Sequence, residues 1–239
     1  MINVTYNNWD KWYEKILSDF NFKRDDDEYS ANVLNSLISQ NYLVDIHGKD
    51  KCIIFGAGPS IKKHISLIKN TFDIKDYILI ASDGATTALN EEGIIPDIIV
   101  TDLDGKIDDI IYSNKQGSTL YVHAHGDNID KINKYVPKLQ KVIPTTQSNP
   151  VGVVKNYGGF TDGDRAIHIA VYALKMKTVI LAGMDFGEYT TKYSRPNNKH
   201  MIEKADDFKK LKLEYAQILT DELIKKNTQV KFKYLNDIE

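Results

Sequence analysis

Apolar positions along this chain of 239 residues change their period once. Near the start, Trp9, Trp12, Tyr13, Ile16, Leu17 and Phe20 recur at three- and four-residue steps, which marks one face of a helix. A charged break over residues 23–28 follows, and Tyr29, Val33, Leu34, Leu37 and Ile38 then outline a second amphipathic helix. From Lys51 onward the pattern becomes short apolar runs separated by helical segments. The runs predict strands over 52–55, 77–81, 98–100, 120–122, 141–143 and 178–182, and the segments between them predict helices over 59–70, 85–92, 105–114, 127–135 and 163–176. A polar loop is expected over 188–199, a long helix over 201–226, and a last strand over 230–234, antiparallel at the sheet edge. Strand and helix alternating at this spacing define an α/β class with a doubly wound, mostly parallel sheet. The expected organisation is a helical N-terminal extension, residues 1–47, followed by an α/β catalytic domain, residues 48–239.

Composition narrows the function classes. A formal net charge of −2, with lysines spread along the chain, gives no pull toward nucleic acid or an anionic membrane. The single cysteine, Cys52, lies in an apolar run and reads as a buried, inert thiol. The first residues carry no basic or apolar signal region, and no stretch is long enough to span a bilayer, so a cytoplasmic protein is expected. Small-molecule partners fit this picture, and the aromatic stripe of the first helix suits packing on the main domain or a homodimer.

The candidate chemistry gathers where strands end. Ligands of doubly wound sheets sit beyond the carboxyl ends of the strands. There the chain places Ser82-Asp83-Gly84 and Thr101-Asp102-Leu103-Asp104-Gly105. In extended geometry Asp102 and Asp104 would point the same way, so these two and Asp83 are the expected holders of a Mg²⁺ ion. Capping of the next helix explains one aspartate per helix start, but not a paired Asp-x-Asp. Asp127 reads equally as a further metal-facing acid or as a cap. Gly56-Ala57-Gly58-Pro59-Ser60, the turn after the first main-domain strand, lets backbone approach a nucleotide, although a plain tight turn would also explain it. His123-Ala124-His125-Gly126-Asp127-Asn128 has two alternating histidines with no third ligand for zinc, and suits contact with phosphate better. Arg165 either binds phosphate or pairs with Asp162 or Asp164 on its own helix. Gln147 and Asp185 offer polar groups suited to the edge of a flat heterocycle.

Taken in order, Gly56-Ala57-Gly58-Pro59-Ser60, Ser82-Asp83-Gly84-Ala85, Pro96-Asp97 with Thr101-Asp102-Leu103-Asp104, His123-Ala124-His125-Gly126-Asp127-Asn128, Gly158-Gly159-Phe160-Thr161-Asp162-Gly163-Asp164-Arg165 and Gly183-Met184-Asp185-Phe186-Gly187 resemble the archaeal 6-hydroxymethyl-7,8-dihydropterin pyrophosphokinase family. That family is similar in turn to the catalytic domain of thiamine pyrophosphokinase. The match spans roughly residues 50–187. Thr-Asp-Leu-Asp-Gly stands here where the thiamine enzymes have Gly-Asp-x-Asp-Ser, which argues against thiamine as substrate. A weaker resemblance extends to a domain of bacterial flagellin-modifying proteins that handle nucleotide-activated sugars. The main resemblance implies transfer of pyrophosphate from ATP to the pterin hydroxymethyl group, with release of AMP and dependence on Mg²⁺. It implies that Asp83, Asp102, Asp104 and Asp127 serve the metal and catalysis. Gly56, Gly58, Ser60, His123, His125, Gly126, Asn128 and Arg165 would serve the nucleotide and its phosphates. Gln147, Gly159, Phe160, Asp162 and Asp185 would serve the pterin. Competing expectations are a thiamine-type diphosphokinase or nucleotide-sugar transferase of the same fold, and a non-catalytic nucleotide-binding protein.

Overall fold

The structure, a computed structural model, describes residue 6, residues 8–38 and residues 47–238. The expected boundary at 47/48 adjoins residues 39–46, which lie outside the described residues. Seven parallel strands form the central sheet. They are β1 (Lys51–Phe55), β2 (Ile78–Ser82), β3 (Ile98–Thr101), β4 (Thr119–Ala124), β5 (Val142–Thr146), β6 (Thr178–Ala182) and one further strand at the far edge, Lys231–Tyr234. The first six are almost continuously apolar and buried, as strands covered on both faces must be. Side chains of β1 alternate between the two layers: Ile53 and Phe55 join one core, Cys52 and Ile54 the other.

The first core is closed by α2 (Arg24–Leu37), α3 (Ile61–Thr71), α4 (Asp83–Asn90), α5 (Ile107–Lys115) and α6 (Ile129–Tyr135), through residues such as Leu34, Ile65, Leu89, Ile110 and Ile132. The second is closed by α7 (Asp162–Tyr172) and by Leu223 of α8 (Asp207–Lys226). The aromatic stripe of α1 (Trp9–Phe20) packs within the chain, where Trp9, Tyr13, Ile16 and Phe20 form a third cluster with Phe160, Tyr215 and Leu219. The charged residues 23–28 are not a gap between helices. α2 begins at Arg24, and Asp25, Asp26 and Asp27 occupy its first turn, where the helix dipole favours negative charge.

Two further expectations change at the C-terminal end. The segment read as a polar loop and helix start holds an antiparallel pair, β7 (Tyr189–Thr191) and β8 (Ile202–Lys204), before α8 begins. The last strand, β9 (Lys231–Tyr234), pairs with β6 parallel rather than antiparallel. The cause is α8: a helix of 20 residues carries the chain back across the sheet, and a crossover of that kind delivers the next strand in the same direction. No helix among the described residues is long and apolar enough to cross a membrane.

Candidate active site

The strand order β5-β4-β3-β2-β1-β6-β9 reverses direction between β1 and β6. A crevice opens at the carboxyl ends of the strands beside such a switch point. The cleft observed there is lined by the turn after β1, the starts of α4 and α7, the loop after β3, the segment after β6, the β7 region and α8.

Its floor is acidic. Asp83 is 7% exposed, in the first turn of α4. Its Oδ2 accepts hydrogen bonds from Thr101 Oγ1 at 2.7 Å, from the Asp104 N–H at 3.2 Å and from the Gly105 N–H at 3.1 Å. Its Oδ1 is buried with no partner. A buried acceptor without a donor is costly, so this oxygen is the atom a cation would satisfy. Asp83, Asp102 and Asp162 each bring a carboxylate oxygen within 4.8 Å of the others. Burial, and then the Asp102 charge, push the Asp83 carboxyl up to about 7. Asp162 rises well above the usual carboxylate range for the same two reasons in the same order. Burial would raise Asp102 as well, but the His125 hydrogen bond and charge, with Arg165 and Lys212, outweigh it and hold Asp102 below the ordinary range. His125 Nε2 faces Asp102 Oδ2 across 3.5 Å. A set of hard oxygen donors with one orphaned buried oxygen fits Mg²⁺.

Asp104 is not in that group. The expected alternation assumed extended backbone, but Leu103 has φ 66°, a left-handed kink that turns Asp104 outward. Its carboxylate is 58% exposed and pairs with Lys131. The third acid of the cluster is therefore Asp162, read from the sequence as a pterin contact.

The same cleft carries three basic side chains. Arg165, Lys209 and Lys212 all line the cleft. Arg165 Nη1 bonds Asp162 Oδ1 at 3.1 Å, so the pairing expected within α7 is present even as the guanidinium faces the cleft. Burial, and then the neighbouring Lys212, push the Lys209 amine down to about 8, and burial also lowers Lys212. Sequence reasoning missed both lysines. The available signal was their three-residue spacing on one helix, beside Phe208 and Leu211 of the apolar face.

Several residues expected to touch ligand are spent on the fold. Gly56 N–H donates to the Ala182 carbonyl at 2.8 Å and Gly58 N–H to the Gly183 carbonyl at 2.9 Å. A Cβ on Gly58 would stand 2.1 Å from Asp185 Oδ2, so glycine there admits the segment after β6 as well as any ligand. Asp185 Oδ2 accepts the Ser60 N–H at 3.0 Å, and so occupies the start of α3 itself. Gly126 N–H is held by Asp27 Oδ1 at 2.8 Å. The Asn128 amide is fully used: it donates to the carbonyls of Asp102 and His123 and accepts from the His125 N–H and Ser30 Oγ. His123 is buried with Nδ1 on Thr145 Oγ1 at 3.0 Å, and burial lowers its proton affinity. Asp164 accepts from Phe160 N–H, Thr161 N–H and Thr161 Oγ1 in a capping box. Gly159, at φ 89°, lies against Arg165, where a Cβ would be 2.7 Å from Cα. Of the candidate residues, Gly56, Gly58, Asp83, Asp102, Asp104, His125, Asp127, Gln147, Phe160, Asp162, Arg165 and Asp185 share the cleft, whereas Ser60, His123, Gly126, Asn128 and Gly159 do not line it.

Fold and site together define an α/β enzyme with an acid floor and a cationic wall at a switch point, an arrangement suited to phosphoryl-type transfer. Residues 27–191 match the family model for 6-hydroxymethylpterin diphosphokinase, MptE-like. The chain is 48% identical over 218 residues to a 6-hydroxymethyl-7,8-dihydropterin pyrophosphokinase of Methanothermobacter thermautotrophicus, covering 89% of this chain and 92% of that one. It is 49% identical over 228 residues to the enzyme of the same name from Methanocaldococcus jannaschii, covering 90% and 94%. It is 39% identical over 197 residues to that of Pyrococcus furiosus, covering 79% and 82%. The chain belongs to the MptE-like 6-hydroxymethylpterin diphosphokinase family and is a diphosphokinase. In fold it is also similar to a MAf glycosyltransferase from Magnetospirillum magneticum, with a TM-score of 0.55 and 14% identity over 90% of this chain, and it spans 38% of that longer protein.

Proposed function

We propose that this protein transfers a pyrophosphoryl group from ATP to the hydroxymethyl oxygen of 6-hydroxymethyl-7,8-dihydropterin, giving AMP and the pterin diphosphate, with Mg²⁺ as its ion. The observation that carries the reading is the unpartnered, buried Asp83 Oδ1 inside an acid cluster that shares one cleft with Arg165, Lys209 and Lys212. The names of the archaeal relatives support the pterin as acceptor.

Asp83 and Asp102 would hold the ion, which matches the preference of Mg²⁺ for one or two carboxylates plus substrate phosphates. Bound there, Mg²⁺ would supply charge neutralisation at the phosphate oxygens. Arg165, Lys209 and Lys212 hold the remaining phosphate oxygens, so that the triphosphate lies along the cationic wall with its β-phosphorus toward the acids. The proton of the attacking hydroxyl goes to the Asp162 carboxylate, whose proton affinity is raised by burial and by Asp102. Phe22, Phe186 and Tyr189 line the cleft and offer flat apolar surface to a heterocycle, and Asp185 offers a carboxylate to its ring N–H groups.

Incubation of the purified protein with ATP, Mg²⁺ and the pterin alcohol should form AMP and pterin diphosphate in equal amounts. Formation of ADP would replace pyrophosphoryl transfer with simple phosphoryl transfer. Turnover of thiamine with none of the pterin would reassign the acceptor.

A further inference from the structure

Asp27, in the first turn of α2, is 3% exposed and lies outside the cleft. Three donors converge on its carboxylate. Tyr13 Oη and Gln147 Nε2 donate to Oδ2 at 2.7 and 2.8 Å, and the Gly126 N–H donates to Oδ1 at 2.8 Å. An ionised carboxylate only accepts, so it dictates the direction of every bond it makes. The Gln147 amide consequently has one orientation, with Nε2 on Asp27 and Oε1 accepting from Arg165 Nη2 at 3.1 Å. The Gln147 main chain is pinned too, because its carbonyl accepts from Trp9 Nε1 at 2.7 Å and Asn156 Nδ2 at 2.9 Å. Arg165 in turn faces Asp162. On the other side, the Gly126 bond anchors the loop between β4 and α6 one residue from His125, the imidazole opposite Asp102.

We propose, on the reading of the cleft given above, that Asp27 is a positioning residue for the diphosphokinase reaction. From the N-terminal helical layer it sets the polarity of Gln147, and Gln147 then holds Arg165 in place over the acid cluster. The relay has a direction, and the direction separates it from plain packing. Asparagine at position 27 has one oxygen in place of two: turned to keep Tyr13 and Gln147 it sets its NH₂ against the Gly126 N–H and frees the loop beside His125, and turned to keep Gly126 it presents that NH₂ to the Gln147 NH₂. In the second orientation Gln147 loses its bond or turns over. Turned over, it aims its own donors at a guanidinium that has only donors, and Arg165 is released.

The test is a cycle of four proteins: wild type, Asp27→Asn, Gln147→Glu and the double variant Asp27→Asn/Gln147→Glu. In Gln147→Glu two carboxylates meet at hydrogen-bond distance. In the double variant the new carboxylate at position 147 accepts from both the asparagine and Arg165, so the polarity is restored. Each single variant should lose roughly tenfold or more in kcat/KM for ATP, the worth of one hydrogen bond to a charged group. The double variant should recover to within a few-fold of wild type. Should Asp27→Asn fail to fold, the comparison of Gln147→Glu with the double variant still decides: a double variant as poor as Gln147→Glu overturns the relay. Wild-type kcat/KM in Gln147→Glu overturns it as well. Equilibrium titration with ATP alone is the second readout, and the same loss and recovery should appear in Kd. If wild type makes no pterin diphosphate, the proposed function fails while the titration still tests the relay.

Discussion

Replacing Asp83 with asparagine should stabilise the metal-free protein while abolishing turnover. In the folded chain burial and then the Asp102 charge raise this carboxyl from 3.8 to about 7. Between those values the folded state keeps a proton that the unfolded chain has released. The contribution of Asp83 to stability is therefore greatest below the unfolded value, declines as pH rises through the window, and carries the whole penalty above the folded value. A shift of about three units at about 1.4 kcal/mol each puts that penalty at ~4 kcal/mol at pH 8. Asparagine removes it. Its Oδ1 can keep the bonds from Thr101, Asp104 and Gly105. Its NH₂ then replaces an oxygen that already lacks a partner, and burying that unpaired donor costs about 1–3 kcal/mol. The net gain is about 1–3 kcal/mol, or a rise of several degrees in Tm for a chain of this size. Urea denaturation in EDTA at pH 8 measures it directly, and the advantage should shrink as pH is lowered to about 5.5. Mg²⁺ should raise the stability of wild type and leave the variant unmoved. A variant less stable than wild type in EDTA at pH 8 would refute the reasoning.

Other expectations follow from single contacts. Asp102→Asn should lower kcat by about 100-fold or more, whereas Asp104→Asn, whose carboxylate lies outside the cluster, should stay within about tenfold of wild type; equal losses would return Asp104 to the metal site. Gly58→Ala drives a Cβ to 2.6 Å from the Gly183 carbonyl, and should cost about 1–3 kcal/mol by thermal melt. Burial lowers His168 from 6.5 to about 4, so this group's own contribution, opposite in sign to that of Asp83, withdraws about 3 kcal/mol of stability as pH falls through that window. His168→Gln should flatten that dependence, and identical pH profiles would dismiss it.

Much of the architecture was legible because buried parallel strands are almost unbroken apolar runs, and each run from β1 to β6 ends near a turn signal. The position of Asp83 and Asp102 was legible for the same reason: both sit one residue beyond a strand. The membership of the cluster was not. Asp162 lies some sixty residues after Asp102 in sequence, and only the crossing of α7 over the sheet brings them together. The left-handed Leu103, which turns Asp104 away, follows no local rule, since leucine seldom adopts that conformation. Asn128 and Gly126 looked like phosphate donors because their type and place were right. Their hydrogen bonds go instead to Asp102, His123 and Asp27, and nothing in the sequence says which partner wins. Lys209 and Lys212 were hidden by distance: the sequence marks α8 only as a long helix, while its lysines line a cleft built on strand ends far away in the chain.

The third cluster has a practical consequence. Phe160, Tyr215 and Leu219 are covered by Trp9, Tyr13, Ile16 and Phe20, so α1 serves as the outer wall of the α7–α8 layer, while α2 closes the core on the other face of the sheet. A shortened protein beginning at Lys51 would bare a greasy patch beside the cleft and lose the Trp9 clasp on Gln147. It should self-associate on gel filtration and recover little activity, which makes these helices part of the enzyme's working body.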